Sequence, residues 1–137
     1  MLQLYSDGLT VAAGAAIPLN NLTYAKGNSA THLAPATIYL NKRGVYLVKA
    51  DAYGSVSDAG EFGIQFVVNG VPRLDAINLD TIATGDVGSV STQCLVVVQQ
   101  DDCPCSCTSS ATTVQLINPT EVEATDAHYN VIVSKLC

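Results

Sequence analysis

Phe62, Ile64, Phe66 and Val68 fall on alternate positions, Asn69-Gly70 follows at once, and Val71 opens a second run. Alternate apolar residues share one face of a pleated strand. Asn-Gly between two such runs suits a two-residue turn whose central residues both need positive φ. This segment therefore predicts a β-hairpin. No long segment carries an apolar stripe at helical spacing, and the rest of the chain repeats the pattern of short runs and turn residues.

Leu9 to Leu19 is one run, broken by Gly14 and punctuated by Pro18. A Gly/Asn/Ser/Thr-rich stretch follows to Thr31, then a run from Ala36 to Leu40. The turn Asn41-Lys-Arg-Gly44 opens a strand from Val45 to Tyr53. In it Tyr46, Val48, Ala50 and Ala52 form an inward face, and Lys49 and Asp51 the opposite one. Gly54 to Gly60 reads as a loop, and Arg73 to Gly88 as a short strand and a loop. Ser89 to Gln100, Thr112 to Ile117 and His128 to Leu136 complete the set. The sum is an all-β sandwich of about eight antiparallel strands in two sheets, with no repeat and no linker.

Composition adds a constraint on association. Only 13% of the 137 residues are charged, against roughly 25% in an average soluble domain. So little charge leaves weakly polar surface that is most simply covered by copies of the same chain. The net charge is −6, and Lys42-Arg43 is the one adjacent basic pair, which argues against nucleic acid as a partner. No run approaches the ~18 apolar residues of a membrane span, so membrane insertion is not expected. The first residues lack the basic and apolar regions of a secretory signal. With Met1 as the natural start, the chain is expected to be made and kept in a cytosol.

The sharpest local feature is Cys103-Pro-Cys-Ser-Cys107, between Asp101-Asp102 and Thr108-Ser-Ser110. Alternating strand directions bring Cys137 to the same end of the sandwich. Cys103, Cys105, Cys107 and Cys137 are thus candidates for a disulfide, which needs Cα atoms within about 7 Å, or for a four-thiolate structural zinc site. Reduced thiols, as in a cytosol, are the third reading, and no cofactor is otherwise expected. Cys94, inside a strand, reads as a small buried apolar residue. His32 and His128 lie in no recognisable catalytic motif, and no nucleophile elbow, phosphate loop or zinc-protease helix is present. Loop acids such as Asp80, Asp86, Asp101 and Asp102 read as solvated side chains rather than calcium ligands, which must converge six or more oxygens. Tyr39, Tyr46 and Tyr129 are candidates for core or interface.

The strand order resembles the trimeric jelly-roll heads of the tumour-necrosis-factor and complement-q type, including the variants found on phage particles and spore surfaces. Ala15-Ala-Ile-Pro-Leu19 is similar to the first strand. Residues Ala36 to Val48 carry the strand, turn, Gly-x-Tyr, strand pattern, and Phe66 to Val71 the middle hairpin. Thr113 to Thr120 and Asn130 to Leu136 match the last two strands. The resemblance implies a jelly roll over residues 9–137, a homotrimer, and outer loops free to bind. Residues 1–8 are then expected to form an N-terminal attachment segment. The function implied is a non-enzymatic structural module of a bacteriophage virion, assembled in the bacterial cytoplasm with other virion proteins. The alternative is a receptor- or glycan-binding head on a bacterial cell or spore surface.

Overall fold

The computed structural model describes residues 1–99 and 112–137. Ten strands, with no helix among the described residues, form two antiparallel five-stranded sheets. They are β1 (Leu2–Val11), β2 (Asn21–Ala25), β3 (Ala30–Ala34), β4 (Thr37–Leu40), β5 (Gly44–Val56), β6 (Gly60–Val68), β7 (Val71–Ile82), β8 (Gly88–Val98), β9 (Thr112–Ile117) and β10 (Ala124–Lys135). The first sheet has the order β2-β1-β10-β5-β8, and the second β3-β4-β9-β6-β7. Chain neighbours repeatedly cross between sheets, which makes the sandwich a jelly roll.

The sheets meet through their alternating inner faces. Leu4, Tyr46, Val48, Ala50, Tyr129 and Val131 of the first sheet bury against Ile38, Leu40, Phe62, Ile64, Phe66 and Leu116 of the second. The expected split of β5 is realised: Tyr46, Val48, Ala50 and Ala52 are inside, Lys49 is exposed and Asp51 half-buried. The Asn69-Gly70 hairpin forms as expected, with φ of 50° and 80° at its two central residues. It joins β6 to β7, where Val68 pairs with Val71.

Several expectations need correction. Ten strands are formed where about eight are expected, and three stretches hold more strand than their reading gave them. The polar segment after Asn20 holds β2 and the start of β3, both at sheet edges, where neither needs an apolar inner face. β7 runs through Arg73 to Ile82, also at an edge. β5 continues past Gly54 to Val56. Ala15 to Leu19 is not a full strand. It makes one bridge, Ala16 to Ile117, while Ile17 and Leu19 plug the core. Residues 2–8 of the expected attachment segment lie within the first sheet. They form most of β1, paired with β10 on one side and β2 on the other, with Leu2 and Leu4 buried.

Polar groups close the weak points. At the β7–β8 side, Arg73 Nη2 donates to the Leu95 carbonyl at 3.3 Å and Asn78 Nδ2 to the Ser91 carbonyl at 2.8 Å. These bonds tie one sheet's edge to the other's. At the opposite end, buried Asn118 accepts from Thr120 N and Oγ1 and donates to the Val122 carbonyl at 3.0 Å. That arrangement satisfies an otherwise costly buried amide.

Candidate functional site

The outer face of the first sheet can be read row by row from its register. Val45 and Val97 share the row nearest the chain's end, followed by Leu47, Ser134 and Leu95. The next row holds Gln3, Ile132, Lys49 and Gln93. Beyond it come Tyr5, Asn130, Asp51 and Ser91, and then His128, Tyr53 and Ser89. One half of the face is therefore apolar and the other aromatic and polar. Leu95 is 50% exposed and Val97 61%. Around the β7–β8 corner, Leu74 is 88% exposed.

Two irregularities set the polar half. β10 changes phase at Asp126, which has a φ of 46°, within the register shift between Thr125 and His128. The extra residue turns His128 outward and Tyr129 into the core, as a bulge does. β1 shifts register between Ser6 and Leu9, where Gly8 has a φ of 65°. Asp7, between these irregularities, brings its carboxylate against His128 Nδ1. The His128 ring stacks on Tyr53, with centroids 4.3 Å apart and planes 11° apart. Among the described residues no hydroxyl hydrogen-bonds to His128, and Ser89 and Ser91 lie in the same recess.

These side chains surround a recess of about 520 Å³ on the sheet face. Tyr5, Asp7, Asp51, Tyr53, His128 and Asn130 line it, with Ser89 and Ser91 from β8. Gln3 Nε2 donates to Asn130 Oδ1 at 3.1 Å, which leaves the Asn130 amide nitrogen available as a donor. No local motif joins these residues, since Asp7 and His128 lie at opposite ends of the chain.

The cysteine candidates divide. Cys103, Cys105 and Cys107 lie outside the described residues, as do Asp101 and Asp102. Cys137 is exposed, and its carbonyl accepts from Val45 N at 3.1 Å. It therefore sits at the end of the first sheet where Val98 closes β8 opposite Gly44. Cys94 is buried in β8, and burial pushes its thiol above the ordinary value. Tyr46 and Tyr129 are core residues, and Tyr39 is half-buried on β4. His32 bonds the Pro35 carbonyl at 2.9 Å, far from the recess in sequence and on the other sheet. Asp80 accepts from Ser89 N at 3.1 Å. Among the described residues no three acids, histidines or cysteines converge as a metal site.

No family model and no curated protein matches the sequence. Solved structures do match over nearly the whole chain. The globular domain of zebrafish complement 1qA superposes with a TM-score of 0.75 at 8% identity, covering 99% of this chain and 96% of that one. The fold is the complement-1q and tumour-necrosis-factor jelly roll. PRD1 vertex protein P5 shares this jelly roll with a TM-score of 0.67 at 14% identity, covering 99% and 96% of the two chains. Murine APRIL follows at 0.64 and 10% identity, with 98% of each chain covered. Identities this low establish the complement-1q-type jelly roll, and the site has to be read from this chain's own residues.

Proposed function

We propose that this jelly roll is a non-enzymatic structural module that assembles as a homotrimer on the surface of a bacteriophage particle. The observation that carries the trimer is the apolar half of the first sheet's outer face. Val45, Leu47, Leu95, Val97 and Ile132 form one contiguous patch with no covering element among the described residues. A second apolar site, Leu74, lies around the β7–β8 corner. Two different patches on one chain suit a head-to-tail contact, in which the edge of one subunit seats on the face of the next. Such contacts close into rings when the rotation allows.

The particle assignment draws support from the fold shared with a PRD1 vertex protein. The non-enzymatic reading draws support from the same neighbours, a complement 1q globular domain and a vertex protein. A binding head on a bacterial cell or spore surface is the second reading, favoured by the recess on the polar half of the face. Sedimentation velocity at micromolar concentration tests the trimer. A species of three chains is expected, and a monomer across that range would remove the proposal.

A further inference from the structure

The polar half of the first sheet's outer face has features that the proposed apolar contact does not explain. Its recess of about 520 Å³ falls within the roughly 300–1,000 Å³ of ligand sites. Among the described residues no lysine or arginine lines it, while Asp7 and Asp51 do. An anionic ligand is therefore disfavoured on charge. An apolar ligand is disfavoured because hydroxyl, amide and carboxylate groups alternate with the rings around the wall.

The groups that remain unengaged define what would fit. Asp7 is already paired with His128. Asp51, half-buried at the centre of its row, has no hydrogen-bond or ion-pair partner among the described residues. It can accept from donors, and the Asn130 amide nitrogen on the neighbouring strand has no acceptor among the described residues. Tyr53 is held in place by its stack on His128 and is still 51% exposed. A second copy seated dry on this half would strand the Asp51 carboxylate without water, which is expensive. A polyhydroxylated ring instead offers O–H donors to Asp51, acceptors to Asn130 and a C–H face to Tyr53.

We propose that the recess bounded by Tyr5, Asp51, Tyr53 and Asn130 binds a neutral saccharide. The site belongs to the folded chain and is argued independently of the trimer, whose contact is proposed for the other half of the face. Saturation-transfer-difference NMR on the full chain tests it, with methyl α-mannoside, galactose, N-acetylglucosamine and fucose as neutral probes and N-acetylneuraminic acid as the anionic one. At least one neutral sugar gives transfer and the anionic sugar gives none. Tyr53→Ala abolishes the signal, and Asp51→Asn weakens binding about tenfold by removing a charged acceptor. Should Tyr53→Ala fail to fold, Asp51→Asn alone decides.

No transfer to any neutral probe overturns the site, and so does transfer that survives both substitutions. Dissociation of the trimer by Tyr53→Ala in the absence of sugar also overturns it, because a second copy then fills the recess, while the trimer itself stands. A monomeric wild type that binds sugar through Asp51 has the opposite meaning: the recess is upheld and the trimer is lost.

Discussion

Tyr129 puts the largest polar liability into the core. Its ring packs near Phe62, with centroids 6.4 Å apart, and its buried hydroxyl has no partner among the described residues. Leaving such a group unpaired costs about 1–3 kcal/mol. Tyr129→Phe should therefore hold or raise stability, by up to about 1 kcal/mol in urea denaturation. Tyr46 differs, since its hydroxyl donates to the Lys42 carbonyl at 2.6 Å. Tyr46→Phe should cost about 1 kcal/mol in the same assay.

Burial also raises the pKa of the Cys94 thiol above its ordinary value near 9. The folded state then holds the proton after the unfolded chain has released it. The stability this contributes is complete below pH 9 and is lost as pH rises towards the higher folded value. A urea midpoint followed from pH 7 to 10 should fall at the alkaline end, and Cys94→Ala should flatten that fall. Native-state alkylation should leave Cys94 unmodified until the chain unfolds, because the thiolate is the reactive form. The burial of Cys94 was legible from its place in an apolar run. The condition of Tyr129 was not, because a hydroxyl's partners are supplied by distant elements.

At the scale of elements, β10 depends on a single irregular residue. Asp126 adopts a φ of 46° and resets which residues face the core. Glycine reaches that conformation freely, and a β-branched residue does not. Asp126→Gly should be close to neutral, and Asp126→Val should cost about 1–2 kcal/mol per the left-handed penalty, both read by thermal denaturation. The recess should be lost along with the bulge, since His128 depends on it for its outward position.

The same scale shows how the sequence could and could not be read. The β6–β7 hairpin was legible because Asn69-Gly70 is a local signal flanked by clean alternation. β5 was legible because Val48, Ala50 and Ala52 alternate with the charged Lys49 and Asp51. β7 was not, because this edge strand fully buries only Ala76 and so has no apolar period, while Leu74, Ile77 and Leu79 remain exposed. β1 was missed for another reason. Gly8 breaks its alternation, and its partners β2 and β10 are identified only by long-range pairing. The recess was invisible for the same cause, since Asp7, Asp51, Ser91 and His128 come from four strands.

At the scale of the whole molecule, the low charge content and the divided outer face have one explanation. Val45, Leu47, Leu95, Val97 and Ile132 exclude water when a neighbouring edge covers them, at roughly 25 cal/mol per Å² of apolar area. Polar residues fill the other half, so the contact has a natural boundary at the row of Gln3, Lys49 and Gln93. The proposed trimer would then occupy a defined half of one sheet, with the recess at its margin.

The most direct test is native mass spectrometry of the wild-type chain beside a Leu47→Glu/Leu95→Glu variant. Both substituted side chains lie on the outer face, so the variant should keep the wild-type far-ultraviolet circular dichroism. Three chains per particle for the wild type and one for the variant are the predicted results. A trimer that survives both glutamates would contradict the account and place the contact elsewhere on the jelly roll.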